Sequence, residues 1–212
     1  FKCEGGSPAA EKRDGRPCWD CWAPLYAANQ NPVDILIDAC RRHNQLFIAG
    51  MRMNDRHAES QGVPKGKFIT DHPEYQLQGM SRGSGLAVDY RHAAVREKVL
   101  EYIEDLLARH DVDGIEFDWM RWCYMFTPGS GREHAHLLTD FTRQARALLD
   151  AAAQRRGHGR LLLGARVPAG LDEALSLGYD VPAWIRENLV DYLCPTCFFS
   201  GDPNLAVADY VA

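Results

Sequence analysis

From residue 31 to residue 194 short apolar runs alternate with longer amphipathic stretches, and this cadence restricts the chain to a narrow set of folds. Asn31-Pro32 opens a helical pattern carrying Val33, Ile35, Leu36, Ile37, Ala39 and Cys40, and Arg41, Arg42 and His43 close its last turn, where positive charge suits the helix dipole. Asn44 is a stop, and Gln45–Met51 is an apolar run of strand length. The cycle then repeats. Gly85–Tyr90 reads as a strand, and Ala93–Arg109 reads as a helix with Val95, Val99, Leu100, Ile103, Leu106 and Leu107 on one stripe. Val112–Asp118 is a strand, and a helix over about Glu133–Arg156 places Leu137, Leu138, Phe141, Ala145, Leu148 and Leu149 on one face. Leu161–Val167 is the following strand; Val181-Pro182 opens a short helix through Trp184–Leu189, and Val190–Cys194 is the last clear strand.

Strands and helices in alternation imply parallel β-α units, which suit a barrel or an open doubly wound sheet. The polar residues choose between them. Each apolar run ends in chemically capable residues at its C-terminal tip: Arg52, Asn54 and Asp55; Asp89 and Tyr90; Glu116 and Asp118; Arg166; Cys194 and Cys197. In a barrel all these tips converge on one mouth. A dinucleotide-binding sheet would instead carry Gly-x-Gly-x-x-Gly after its first strand, and Gly129-Ser-Gly131 lacks that context. The expected fold is therefore α/β, a (β/α)8 TIM-type barrel that is incomplete in this segment, with about strands 2 to 6 and their helices. Residues 1–30, rich in Gly, Pro, Cys and Trp without period, read as an irregular loop region at the barrel mouth, and 31–212 as the partial barrel. A chain that starts at Phe1 and ends in an apolar stretch reads as a piece of something longer. A secretory leader upstream would make the parent protein secreted or periplasmic.

With 212 residues and 46% hydrophobic content the chain can bury one substantial core. A net charge of -5 and the lack of any long Lys/Arg block argue against nucleic acid as a partner, and no apolar stretch approaches the ~20 residues of a membrane span. Oligomeric state cannot be read from the sequence. Seven cysteines do not suggest a disulfide framework. Cys18/Cys21 and Cys194/Cys197 have the C-x-x-C spacing that tetrahedral zinc accepts, but separate thiols are the simpler reading. His57, His72, His134 and His136 lack a full ligand set, so no obligatory metal and no cofactor is expected.

The densest chemistry lies in Asp113-Gly-Ile-Glu-Phe-Asp-Trp119, where strict alternation sends Ile115 and Phe117 to one face and Gly114, Glu116 and Asp118 to the other. Next neighbours on one face are about 7 Å apart at Cα. Two like charges so close call for a cation, and Arg52, Arg121 and Arg166 at the strand tips are candidates. The bland alternative is a buried ion network that holds the mouth together.

The stretch Val112-Asp-Gly-Ile-Glu-Phe-Asp-Trp-Met-Arg121, with the helix Val95–Ile103 before it, resembles the fourth strand and preceding helix of bacterial glycoside hydrolase-like barrels, the glycosyl hydrolase-like family 10 group. Met51–Asp55 with His57, and Phe198–Pro203, extend the resemblance over most of residues 31–205. It implies a hydrolase of O-glycosyl bonds acting on a poly- or oligosaccharide. The same stretch is similar to the Asp-Gly-x-Asp-x-Asp-x-Glu signature of glycoside hydrolase family 18, but Glu116 replaces an Asp and Met120 stands where that family's proton-donating Glu would be. A thioether cannot donate a proton, so that family's substrate-assisted mechanism does not transfer.

Glycosidic cleavage needs a carboxylic acid and a carboxylate. Asp118, the last inward residue of its strand, is the expected nucleophile or charge stabiliser, with Glu116 one layer deeper. The acid is Asp55, Asp89, Glu116 or a residue on a strand this segment lacks. Arg52, Asn54, Asp55, His57, Asp89, Arg121 and Arg166 are candidate saccharide contacts, and Tyr90, Trp119, Trp122 and Tyr124 candidate stacking rings, against ordinary packing as the plain alternative. A non-catalytic carbohydrate-binding barrel and a metal-dependent hydrolase on the same scaffold are the competing readings.

Overall fold

The computed structural model describes residues 12–13, 16–17, 23–54, 67–77, 87–197, 205 and 207–210. Before the repeating units come a two-residue hairpin, β1 (Lys12–Arg13) and β2 (Arg16–Pro17), and a short helix, α1 (Ala23–Ala27). The units themselves are α2 (Pro32–Arg42), β3 (Ile48–Arg52), α3 (Lys67–Asp71), α4 (Ala93–Arg109), β4 (Gly114–Asp118), α5 (Gly131–Arg156), β5 (Leu162–Pro168), α6 (Leu171–Leu177), α7 (Val181–Arg186) and β6 (Tyr192–Thr196). Local chemistry sets several boundaries. The Asn31 side chain accepts from the Val33 N–H at 2.9 Å to cap α2, and Asn44 turns left-handed at φ 54° just past its end.

Strands β3, β4, β5 and β6 form one parallel sheet in chain order. Consecutive order without reversal is the arrangement of a barrel wall, whereas a doubly wound sheet reverses at a switch point. The fold is thus α/β, a four-stranded parallel sheet flanked by helices, consistent with a partial (β/α)8 barrel. Ile115, Phe117, Leu163, Ala165 and Val167 point into the helix layer and are fully buried. There Phe117 meets Phe141 of α5 at 5.6 Å between ring centroids. Each of the larger ones, Ile115, Phe117, Leu163 and Val167, contributes about 1.5–3 kcal/mol by leaving water.

One expected strand is not in the sheet. Val88 makes a single antiparallel bridge to Gln76, so the described part of Gly85–Tyr90 belongs to the connection between β3 and α4. The physical reason is the crossover. A parallel strand needs a crossover, usually a helix, to return the chain to the other end of the sheet; among the described residues between β3 and Val88 the α-helix is α3, of five residues, and α4 fills that role for β4 instead. Helix α6, a seven-residue element with a weak apolar pattern, was not expected from the sequence.

Aspartates fasten the N-terminal ends of the strands. Asp113 accepts from the Phe47 N–H at 2.7 Å, and Asp191 accepts from the Leu163 N–H at 2.7 Å, each reaching back to the preceding strand. Asp113 of the central motif is therefore a structural residue at the end opposite the tips. Asp191 also holds Arg146, whose guanidinium is 5% exposed and reaches Asp150, Asp191 and the Leu161 carbonyl. Removing one partner from such a buried cluster strands the other charge. Arg146→Leu is expected to cost about 3 kcal/mol, read as a lower urea midpoint at unchanged slope.

Candidate active site

The face of the sheet away from the helices is built in three rungs. A Cβ added to Gly114 would meet the Ile48 and Leu162 side chains, so the lowest rung is Ile48, Gly114 and Leu162. The middle rung is Gly50, Glu116, Gly164 and Tyr192. The outer rung, at the C-terminal tips, is Arg52, Asp118, Arg166 and Cys194. The face changes from apolar to charged as it approaches the tips, where barrel enzymes keep their chemistry. Glu116, Asp118, Arg166, Tyr192 and Cys194 are all half-buried.

Two carboxylates are held on this face by different partners. Asp118 Oδ1 accepts from Arg166 Nη1 at 3.1 Å and from the Met120 N–H at 3.0 Å. Glu116 Oε2 accepts from the Tyr192 hydroxyl at 3.0 Å and the Cys194 thiol at 3.7 Å. Gly164 makes the second arrangement possible: a Cβ there would lie 2.1 Å from the Tyr192 ring, so only a glycine lets that ring cross β5 to reach Glu116. Burial raises the Tyr192 pKa, and the hydrogen bond to Glu116 and its charge raise it further. For Cys194 burial again acts first, with the Glu116 charge and hydrogen bond adding to it. Both groups stay protonated at neutral pH and serve as donors.

Glu116, Asp118 and Arg166 thus lie together, with Arg52 in register on the same rung. Arg121 is half-buried on the loop that follows β4. Other sequence candidates have different work. Asp89 is 1% exposed and grips the Arg91 guanidinium through both oxygens, at 3.1 and 2.8 Å to Nε. Asn54 is spent on backbone, donating to the Val88 and Tyr124 carbonyls and accepting from the Val88 N–H. Tyr90 and Trp119 are fully buried in one aromatic cluster with Phe117 and Phe141, so neither ring offers a face to a sugar. The Tyr90 hydroxyl donates to the Met53 carbonyl at 2.5 Å, and burial raises its pKa. Trp122 and Tyr124, half-buried with ring centroids 5.8 Å apart, are the partly open aromatics after β4. Met120 is 3% exposed, and its backbone N–H donates to Asp118 Oδ1.

Asp55, His57, Cys18, Cys21 and Phe198–Pro203 lie outside the described residues. Cys40, Cys123, Cys194 and Cys197 are free thiols. Among the described residues no group of three or more His, Cys, Asp and Glu side chains could hold a metal ion, and no helix is long and apolar enough to cross a membrane. His72 pairs with Glu74, and His134 meets the Ser130 carbonyl.

Sequence reading missed Tyr192. Tyr192 lies below the strand tip, and the register that sets it beside Gly164 is a property of strand pairing that no local pattern carries.

No family model and no curated protein matches the chain. Several solved structures do. It is similar to an immunomodulatory active chitinase from Trichuris suis, 21% identical over 49% of this chain and 25% of that one, with a TM-score of 0.38. A maltogenic alpha-amylase from Thermotoga neapolitana is 17% identical over 73% of this chain and 33% of its own, at 0.43. Catalytic domain 2 of a Group II chitinase from Ostrinia furnacalis is 17% identical over 80% of this chain and 36% of its own, at 0.42. The chain therefore spans between a quarter and 36% of those proteins, whose varied sources do not single out a bacterial origin. At such identities and scores, function has to be read from the chain's own side chains.

Proposed function

We propose that this chain carries the reaction centre of a glycoside hydrolase acting on a poly- or oligosaccharide, with Asp118 as nucleophile or charge stabiliser and Glu116 as its partner carboxyl group. The observation that carries the reading is the placement of both carboxylates on the face of one strand away from the helices, Asp118 at the tip of a parallel sheet and Glu116 one rung below it, each oriented by a partner from another strand. The motif's resemblance to glycosyl hydrolase-like family 10 barrels supports the same reading.

The chemistry divides by position. Next neighbours on one face of a strand are about 7 Å apart at Cα, and retaining glycosidases hold their two carboxyl groups about 5–5.5 Å apart, a separation that two inward-leaning side chains can reach. Arg166 and the Met120 N–H fix the Asp118 carboxylate through Oδ1, leaving Oδ2 for the sugar's anomeric carbon. Tyr192 and Cys194 occupy Glu116 Oε2, so Oε1 is the oxygen that would pass a proton to the leaving group. With Asp89 committed to Arg91, Glu116 is the better-placed acid of those two.

Purified protein assayed for reducing-end release on neutral and acidic polysaccharides tests this reading. Turnover by the wild type that disappears in Asp118→Asn and Glu116→Gln supports it, and turnover surviving both substitutions refutes it. A non-catalytic carbohydrate-binding barrel is the second reading, favoured by buried Met120 at the place of the family 18 proton donor. It predicts saccharide binding without turnover in the wild type.

Tyr192 is a positioning residue in this scheme. Tyr192→Phe is expected to lower kcat about tenfold with KM nearly unchanged, because one hydrogen bond to a charged group is worth about 1.5–3 kcal/mol. Gly164→Ala should mimic it by displacing the ring, and since the outer end of a tyrosine can swing aside, it should do so with little loss of stability. Equal kcat in all three proteins would remove Tyr192 from the scheme.

A further inference from the structure

We propose that the saccharide bound at this site carries an oxyanion, a uronate carboxylate or a sulfate ester, and that Arg166 and Arg52 recognise it across Asp118. This rests on the glycosidase reading and names its substrate class. On the outer rung Arg52, Asp118 and Arg166 are neighbours in register, so an arginine stands on the strand at each side of Asp118, and Arg166 is hydrogen-bonded to it. Among the described residues the single hydrogen bond shown for Arg166 is Nη1 to Asp118, while its side chain is 33% exposed. Its Nε and Nη2 donors are therefore turned to no described partner. The contrast with Arg146 is direct, because that guanidinium spends Nε, Nη1 and Nη2 on Asp150, Asp191 and the Leu161 carbonyl.

The middle rung draws none of this charge inward. Glu116 is met by a hydroxyl and a thiol, both neutral donors, so the positive groups of this face stand at the tips. A guanidinium donates and never accepts, and its planar fork matches a carboxylate or sulfate far better than a hydroxyl, which both donates and accepts. Asn54, whose amide both donates and accepts as neutral hydroxyls require, is tied to the backbone of Val88 and Tyr124. Asp118 does not repel such a ligand outright, since its charge is countered by the arginine it holds.

The test is a ligand-observed NMR titration of the purified protein with glucuronate, glucose 6-sulfate and glucose, repeated for Arg52→Gln and Arg166→Gln. Melting curves establish that the variants fold; should Arg166→Gln not fold, Arg52→Gln decides alone. The expected result is that at least one of the two anionic sugars binds about tenfold or more tightly than glucose, as charge-assisted hydrogen bonds imply. That advantage should shrink toward parity in the variants and weaken with added salt. Comparing glucuronate with the sulfate identifies which oxyanion is read. Glucose binding as tightly as both anions would overturn the proposal and leave the glycosidase reading standing, because neutral sugars would then be the ligands. Binding of none of the three would also overturn it, with the polysaccharide assay deciding separately whether the site hydrolyses glycosides. An anionic preference that persists in the arginine variants would overturn the assignment to this rung.

Discussion

Asp118→Asn is expected to lower kcat by about three orders of magnitude while saccharide affinity stays within about threefold. The substitution is nearly isosteric, and an asparagine carbonyl can still accept from Arg166 and from the Met120 N–H, so the local turn should survive. What disappears is the negative charge, which on the proposed glycosidase reading matters when positive charge develops at the anomeric carbon. Loss confined to kcat is the signature of an interaction made in the transition state. The measurement is steady-state kinetics paired with equilibrium binding on the same preparation. A variant that turns over at the wild-type rate would show that Asp118 only anchors Arg166.

Gly114→Ala should be the most damaging small substitution on β4, destabilising the fold by about 3 kcal/mol. The new Cβ would lie 2.4 Å from the Leu162 carbonyl oxygen and 2.9 Å from the Leu162 Cβ. The nearest obstacle is backbone of the paired strand, which cannot rotate aside, so β4 and β5 would have to separate at the lower rung. Gly50→Ala is the control, since no atom lies within 4 Å of its added Cβ. It should leave stability within about 0.5 kcal/mol of wild type. Urea denaturation of both variants tests the pair; equal midpoints would mean that the sheet yields more easily than its register implies.

Much of this architecture was legible because it depends on local pattern. The α4 boundaries follow from an uninterrupted stripe between His92 and His110, and the facing of Glu116 and Asp118 follows from the pleat alone. Long-range facts were not legible. Whether the rings of Tyr90 and Trp119 face the mouth or the core depends on the turn after Asp118 and on Phe141, and an aromatic at a strand tip reads alike in both cases. Asn54 looked like a ligand for sugar hydroxyls because its bonding partners are 34 and 70 residues away. Tyr192 meets Glu116 across 76 residues through a notch at Gly164, and neither partner announces the other. The described part of Gly85–Tyr90 differs for the opposite reason, since its apolar pattern is genuine but the described residues before it supply only the five-residue α3 as a crossover helix.

The alternation along β4 separates two kinds of change with unusual cleanliness. Odd-numbered positions there, Ile115 and Phe117, are buried in the oily layer beneath, while the even-numbered Glu116 and Asp118 hydrogen-bond on the far side. Drift at one parity is registered as loss of folded protein, and drift at the other as altered chemistry in a protein that still folds. A lineage carrying such a strand can exchange its substrate, or abandon turnover for plain binding, one side chain at a time without renegotiating its interior.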